Sequence, residues 1–403
     1  MNTSSAEKFR TSFPILDKFH YLDSATVNLV PVEVIAEFCS YFSDNIDLTN
    51  KGIHELFVKS TLFLDGVRKS INRWNGLSDR EIVFSGKLAV ANEVLSRGLN
   101  FSNSQDSLVI LTPSHSSFLP YHRDFLAASK AVHFTSFTNN AAIDYQSLDG
   151  MPPRNNLVIL SPVFLGTGEQ FELSKLLSYF DPDLNNEFIV DASLCASYLP
   201  LSDFLPLDPA AIIVDTGLGL FLPGVSFIAI REGLSPTGEP FIAGDLAVTN
   251  VMNQSIEFEK GWRPYEIPFL ELSKLAGLKH VIENINSELR KKISTHCSKL
   301  VRRISTGIEE LSFSVHGPVL DNRLTSIVGF NLADVSSHDL AASLDECNVH
   351  IRSGLMCSHL MMERAGLSKS NNGLCQASVQ YYNTEEDVES LIEGLQLIKQ
   401  QLS

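Results

Sequence analysis

The chain has 403 residues, 44% hydrophobic and 19% charged, so it is globular, long enough for two domains, and able to bury a large core without staples. Its net charge of −16 argues against nucleic-acid or polyphosphate binding through bulk electrostatics and leaves phosphate only a local nest or helix N-terminus. Six cysteines (Cys39, Cys195, Cys297, Cys347, Cys357, Cys375) lack CxxC spacing, which fits free thiols and no metal centre. The N-terminal stretch MNTSSAEKFRTSF has no apolar signal core, and the longest apolar run, Leu218–Ile230, contains Pro223 and Gly224 and reaches about half a bilayer span. A cytoplasmic protein without membrane contact is expected.

In chain order, short apolar runs alternate with helix-length segments: Leu108–Leu111, Val132–Phe134, Leu157–Leu160, Phe188–Val190, Ala211–Val214 and Phe227–Ile230. That pattern predicts a mostly parallel sheet with helices on both faces and a ligand site at the carboxyl ends of the strands. From Leu270 to Leu311 the Leu, Ile and Val spacing predicts long amphipathic helices. A strand (Ile327–Leu332), a helix (Ser337–Glu346), a strand (Val349–Arg352) and a last helix (Glu385–Leu402) then form a smaller α/β unit. There are no repeats and no P-loop, GxGxxG, HExxH or GxSxG motif.

Seven segments in order carry a resemblance: YLDSATVNLVP (Tyr21–Pro31), NKGIH (Asn50–His54), EIVF (Glu81–Phe84), FLGTGE (Phe164–Glu169), the strand ending at Ile189–Asp191, IRSGLMC (Ile351–Cys357) and CQASVQYYNTEEDVESLIEGLQLI (Cys375–Ile398). Together they resemble the class V aminotransferases, and most closely the cysteine desulfurase and selenocysteine lyase branch. The resemblance implies an aspartate aminotransferase-like α/β fold (fold type I). Its large domain, residues 20–269, would hold a mostly parallel seven-stranded sheet. Residues 1–19 and 270–403 would form the small domain. It also implies pyridoxal phosphate (PLP) as family cofactor and a dimer, either a homodimer or a heterodimer with an active homologue.

The same resemblance locates what is missing. The family's S-G-H-K segment aligns with Thr216–Gly219, so Gly219 stands at the aldimine lysine and Leu218 at its neighbouring histidine; no lysine occurs between Lys175 and Lys260. Ser114 takes the ring-stacking histidine's place and His115 the second histidine's. Asp191 keeps the aspartate that pairs with the ring nitrogen, while Leu194 replaces a glutamine. The phosphate loop corresponds to GKLAV (Gly86–Val90), which offers Lys87 and backbone N–H groups but no hydroxyl. A partner-subunit threonine is lost around Ile267, and the carboxylate-binding arginine becomes Gln376. A phosphate dianion needs a cluster of fixed donors, so no cofactor is expected.

Each surviving residue has two readings. Asp191 could pair with a ring nitrogen, but a carboxylate capping the following helix suits it better. Cys357 stands at the nucleophile position, with His359 two residues on; it could be a sulfur nucleophile or an inert loop thiol. Arg352 could bind an anion or pair across a domain interface, and His54 could edge a site or sit on the surface. Trp262 and Arg263 resemble the family's P-W-R segment and could instead pack with Arg over an aromatic. Leu88, Val163, Leu194 and Leu218 make the pocket apolar. The leading expectation is a catalytically silent relative with a structural, regulatory or ligand-sensing role, holding a small molecule in the old cleft or pairing with an active homologue. The alternatives are a PLP-independent enzyme using Cys357 and residual non-covalent PLP chemistry.

Overall fold

The structure, a computed structural model, describes residues 5–47, 52–77, 80–111, 115–138, 140–149, 154–240, 242, 244, 247–267, 271–317 and 325–402. Principal elements are numbered in chain order. Helices α1 (Ser5–Arg10), α2 (Val32–Asp44) and α3 (Glu55–Asn75) precede the sheet. Gly76, at φ 65°, ends α3 in the left-handed conformation that glycine adopts without penalty.

Seven strands then build the central sheet: β1 (Arg80–Ser85), β2 (Ser107–Ile110), β3 (Ala131–Phe134), β4 (Asn156–Leu160), β5 (Glu187–Asp191), β6 (Ala211–Asp215) and β7 (Ser226–Arg231). Their spatial order is β1-β7-β6-β5-β4-β2-β3, with β7 antiparallel to both neighbours and the other pairings parallel. Central runs such as NLVIL and AIIVD are buried at every residue, as a parallel sheet covered on both faces requires. The six expected strands are all present. The seven-stranded, mostly parallel α/β fold is the expected one.

Helix α4 (Leu88–Leu99) follows β1 directly, so its N-terminus opens beside the carboxyl end of the sheet. An exposed hairpin, β8 (Val248–Met252) and β9 (Ser255–Phe258), follows β7. Helix α5 (Leu272–Asn284) buries Leu272, Leu275 and Leu278 in the same core as Val34 of α2 and Val67 of α3. The predicted helical stretch thus breaks into α5 and α6 (Ser287–Glu310), with Asn286 capping α6 through the Leu289 amide. Apolar residues of α6 belong to a second core together with β10 (Ser314–His316), β11 (Ile327–Asn331), β13 (Leu374–Ser378) and the C-terminal helix α7 (Glu385–Leu402), and β12 (Arg352–Gly354) joins their sheet beside β13. The expected domain junction at 269/270 falls on residues outside those described; α5 lies beyond it in sequence, yet its apolar face belongs to the large core. The predicted strand Val349–Arg352 is two strands: Val349–His350 pairs with His20–Tyr21, and β12 pairs with β13.

Among the described residues no helix is long and apolar enough to cross a membrane, and no group of three or more His, Cys, Asp or Glu side chains could hold a metal.

Candidate functional site

The chain between β6 and β7 is where the resemblance calls for a lysine. Residues 216–225 contain none. The segment turns sharply back, with the Thr216 hydroxyl donating to the Val225 carbonyl at 2.9 Å. Asn28 pins it from the other side: its amide N–H donates to the Gly217 carbonyl at 2.8 Å and its Nδ2 to that of Leu218 at 2.6 Å. A Cβ built on Gly219 would drive into the Ser193 carbonyl oxygen and lie 3.2 Å from Ala196 Cβ. The backbone has therefore closed over the side-chain space, and no residue but glycine fits it. Two residues on, Phe221 is held at φ 59°, a conformation costly for an aromatic residue. It is buried against Phe9, Phe13 and Tyr382 at centroid distances of 5.8, 6.3 and 6.4 Å.

Below this turn lies a cavity of about 30 Å³ lined by Leu88, Phe164, Leu194 and Leu218 together with His115 and Asp191. Sites for small molecules run to several hundred Å³, whereas a space of this size suits one or two waters. Three of the four leucine and valine positions expected to make the pocket apolar line it beside Phe164 and Leu165, while Ser161 and Ser358 also line it; Val163 is buried next to Phe164.

Asp191 ends β5, fully buried, and burial pushes its carboxyl up to about 6. Its Oδ1 accepts from the Ser193 amide at 3.0 Å and from the Ser193 hydroxyl at 2.5 Å. The helix cap expected of it is in fact a turn clasp, because residues 193–198 form turns rather than a helix. Ser193 also accepts the Asp215 amide at 2.8 Å, so one hydroxyl links the ends of β5 and β6. His115 is half-buried, and its Nδ1 accepts the Ser117 amide at 3.2 Å and meets the Ser117 hydroxyl at 2.6 Å. An amide can only donate, so the neutral ring carries its proton on Nε2. Burial, then the charge of Arg352, lowers its pKa to about 4, keeping it neutral at neutral pH.

On the facing side of the cleft, Arg352 and Cys357 come together: a guanidinium N–H donates to Cys357 Sγ at 3.4 Å. Met356 and Cys357 both sit in the left-handed region, at φ 49° and 55°. Two consecutive non-glycine residues in that region are unusual, and such strain concentrates at functional loops. The Ser116 amide donates to the Cys357 carbonyl at 3.1 Å, which ties this loop to the His115 turn. His359 begins a short helix after Ser358.

The structure thus gathers Asp191, His115 and Leu218 around one cavity, with Gly219 next to Leu218 and the Arg352–Cys357 loop tied to the His115 turn, and places the other candidates as follows. Gln376 is buried on β13 opposite Arg352, its Nε2 donating to the Leu165 carbonyl while its Oε1 has no partner. His54 is exposed and rests on Phe57, with ring centroids 4.3 Å apart. Trp262 is buried in a third core on the opposite sheet face, its indole N–H donating to the Leu234 carbonyl at 2.6 Å. Arg263 does not cover it but faces Asp65 at 3.6 Å. Ser114 lies outside the described residues.

Sequence reasoning passed over Asp215. This carboxylate ends β6 and accepts from the Gly217 amide at 3.0 Å and from the Leu88 amide, at the start of α4, at 3.2 Å. The signal was present: an acid ending an otherwise apolar strand, next to a glycine-rich turn.

The residues present do not fit PLP. The loop expected to hold its phosphate gives an amide to Asp215, the ring space is water-sized, and no lysine lies on the crossing.

Comparison with known proteins follows the fold. The family model described as Aminotransferase class-V matches residues 20–391. A probable cysteine desulfurase of Methanothermobacter thermautotrophicus is 24% identical over 396 residues, spanning 97% of this chain and 98% of its own. The cysteine desulfurase of Escherichia coli O157:H7 is 23% identical over 411 residues, 98% of each. Among solved structures, the apo cysteine desulfurase of Thermococcus onnurineus NA1 superposes with a TM-score of 0.88 at 23% identity, covering 99% of both chains. The Escherichia coli desulfurase CsdA gives 0.80 at 18% identity and covers 100% of both.

Proposed function

The chain belongs to the class V aminotransferase family, and from that premise we propose that it has left the family's cofactor chemistry and works as a PLP-independent member with a binding, structural or regulatory role. The observation that carries the reading is the closure at Gly219. A missing lysine could be one change in an otherwise intact site. Here the carbonyl of Ser193 also fills the space the side chain would need. The small cavity and the buried Asp191 without a counter-charge support the same conclusion. The relatives are named cysteine desulfurases, and that activity is the outcome this proposal predicts to be absent.

The test is direct. Purified protein titrated with PLP should develop no aldimine absorbance and bind none saturably, and it should release no alanine from cysteine. Stoichiometric PLP binding or alanine release would overturn the proposal.

A second reading rests on the 3.4 Å contact between Arg352 and Cys357: Cys357 would act as a PLP-independent sulfur carrier, its thiolate taking the outer sulfur of a persulfide donor while the donor's own thiol leaves. It predicts that Cys357 is modified ahead of the buried Cys195, Cys297 and Cys375. For assembly, α2 and α3 expose Val32, Ile35, Phe42, Leu56, Val58 and Leu62. Such a surface supports the dimer as part of this proposal. Sedimentation at micromolar concentration distinguishes a homodimer from a chain awaiting a different subunit.

A further inference from the structure

We infer that Asp215 is the resident anion of the phosphate seat: the chain fills its own anion site with a carboxylate and thereby excludes phosphate monoesters. This rests on the PLP-independent reading and names the residue that enforces it.

The seat is built at the start of α4, a 12-residue helix whose first amides have no partner within the helix. Such an end carries roughly half a positive charge and attracts anions. Lys87 sits at its N-cap position; burial raises the Asp215 pKa, and the charge of Lys87, followed by the Gly217 and Leu88 amides, offsets part of that rise. Asp215 reaches in from β6 and takes the Leu88 amide with Oδ2, while Oδ1 takes the Gly217 amide. It is 4% exposed, so this is an interior anion, not a solvated one.

An independent observation points to the same seat. Ser85, Ser226 and Asp215 stand in register across β1, β7 and β6, so their side chains share one sheet face. Ser85 is fully buried and its hydroxyl has no hydrogen-bond partner. Three residues before the start of α4, it is a donor that a larger, multi-oxygen anion would use and a two-oxygen carboxylate leaves idle. Bringing a phosphate dianion to this helix end would place it against a buried carboxylate, and like charges at contact in a low-dielectric interior repel strongly.

The experiment compares the full-length wild type with Asp215→Ser and Asp215→Asn, titrated at pH 7.5 with inorganic phosphate and then with PLP, reading calorimetric heat and thermal unfolding. The wild type should bind neither. Asp215→Ser should gain saturable phosphate binding at least tenfold tighter than any wild-type response, and adding Lys87→Gln should remove that gain. A folded Asp215→Ser protein indifferent to phosphate would overturn the inference while leaving the PLP-independent reading intact. Saturable PLP binding by the wild type would overturn both. Should neither Asp215 variant fold, the intact seat is tested at its rim: Lys87→Glu should unfold at a clearly lower temperature than Lys87→Gln. Equal unfolding temperatures would overturn the pairing.

Discussion

Two neighbouring loops differ in how far they keep the residues the resemblance calls for. The β6–β7 crossing has Leu218 and Gly219 where the resemblance calls for a histidine and a lysine, with Asn28, Ser193, Asp215 and Phe221 holding a shape only Gly219 permits. The Arg352–Cys357 loop keeps its residues, its close contact and its paired left-handed backbone. The closed crossing carries the PLP-independent proposal, and the strained thiol loop carries the second reading.

The largest expected effect comes from reopening the closed side. Gly219→Ala should destabilise the fold by about 3 kcal/mol or more, because its methyl group must displace the Ser193 carbonyl. Chemical denaturation measures this, and a variant as stable as wild type would mean the crossing is pliable and the contrast with the thiol loop false. Next comes Asp191. Its folded-state carboxyl is raised from 3.8 to about 6, so the native state holds the proton more tightly than the unfolded state. The resulting stability is fully present below about pH 4 and is lost as pH rises through about 6. Asp191→Asn, which cannot ionise, should therefore gain up to about 3 kcal/mol over wild type at pH 7.5 and little at pH 4. A gain that does not depend on pH would remove the uncompensated carboxylate from the argument. The smallest effect belongs to the retained side: Arg352→Gln removes the donor that orients Sγ and should slow alkylation of Cys357 roughly threefold. Mass spectrometry of native labelling reads it, and an unchanged rate would make the loop a relic like the other.

Burial explains what was legible in the sequence. The central strands are buried on both faces, so they read as continuous apolar runs, and the closing helix Glu385–Leu402 was legible to the residue. Val349–Arg352 read as one strand because its apolar alternation is unbroken, although the chain leaves one sheet for another at Ile351. Trp262 read as a site residue from its neighbours in sequence, yet a large aromatic beside Gly98 is more stabilising as core. Asp215 escaped notice because a resemblance directs attention to the positions its motifs name, and the aligned segment begins one residue later, at Thr216.

The aromatic clasp on Phe221 reaches further than the cleft. Phe9 and Phe13 precede the central sheet in sequence and Tyr382 follows the last strand, so the turn is set by joining segments far apart in the chain. On the PLP-independent reading, the protein's yield from cells starved of vitamin B6 should match that from replete cells.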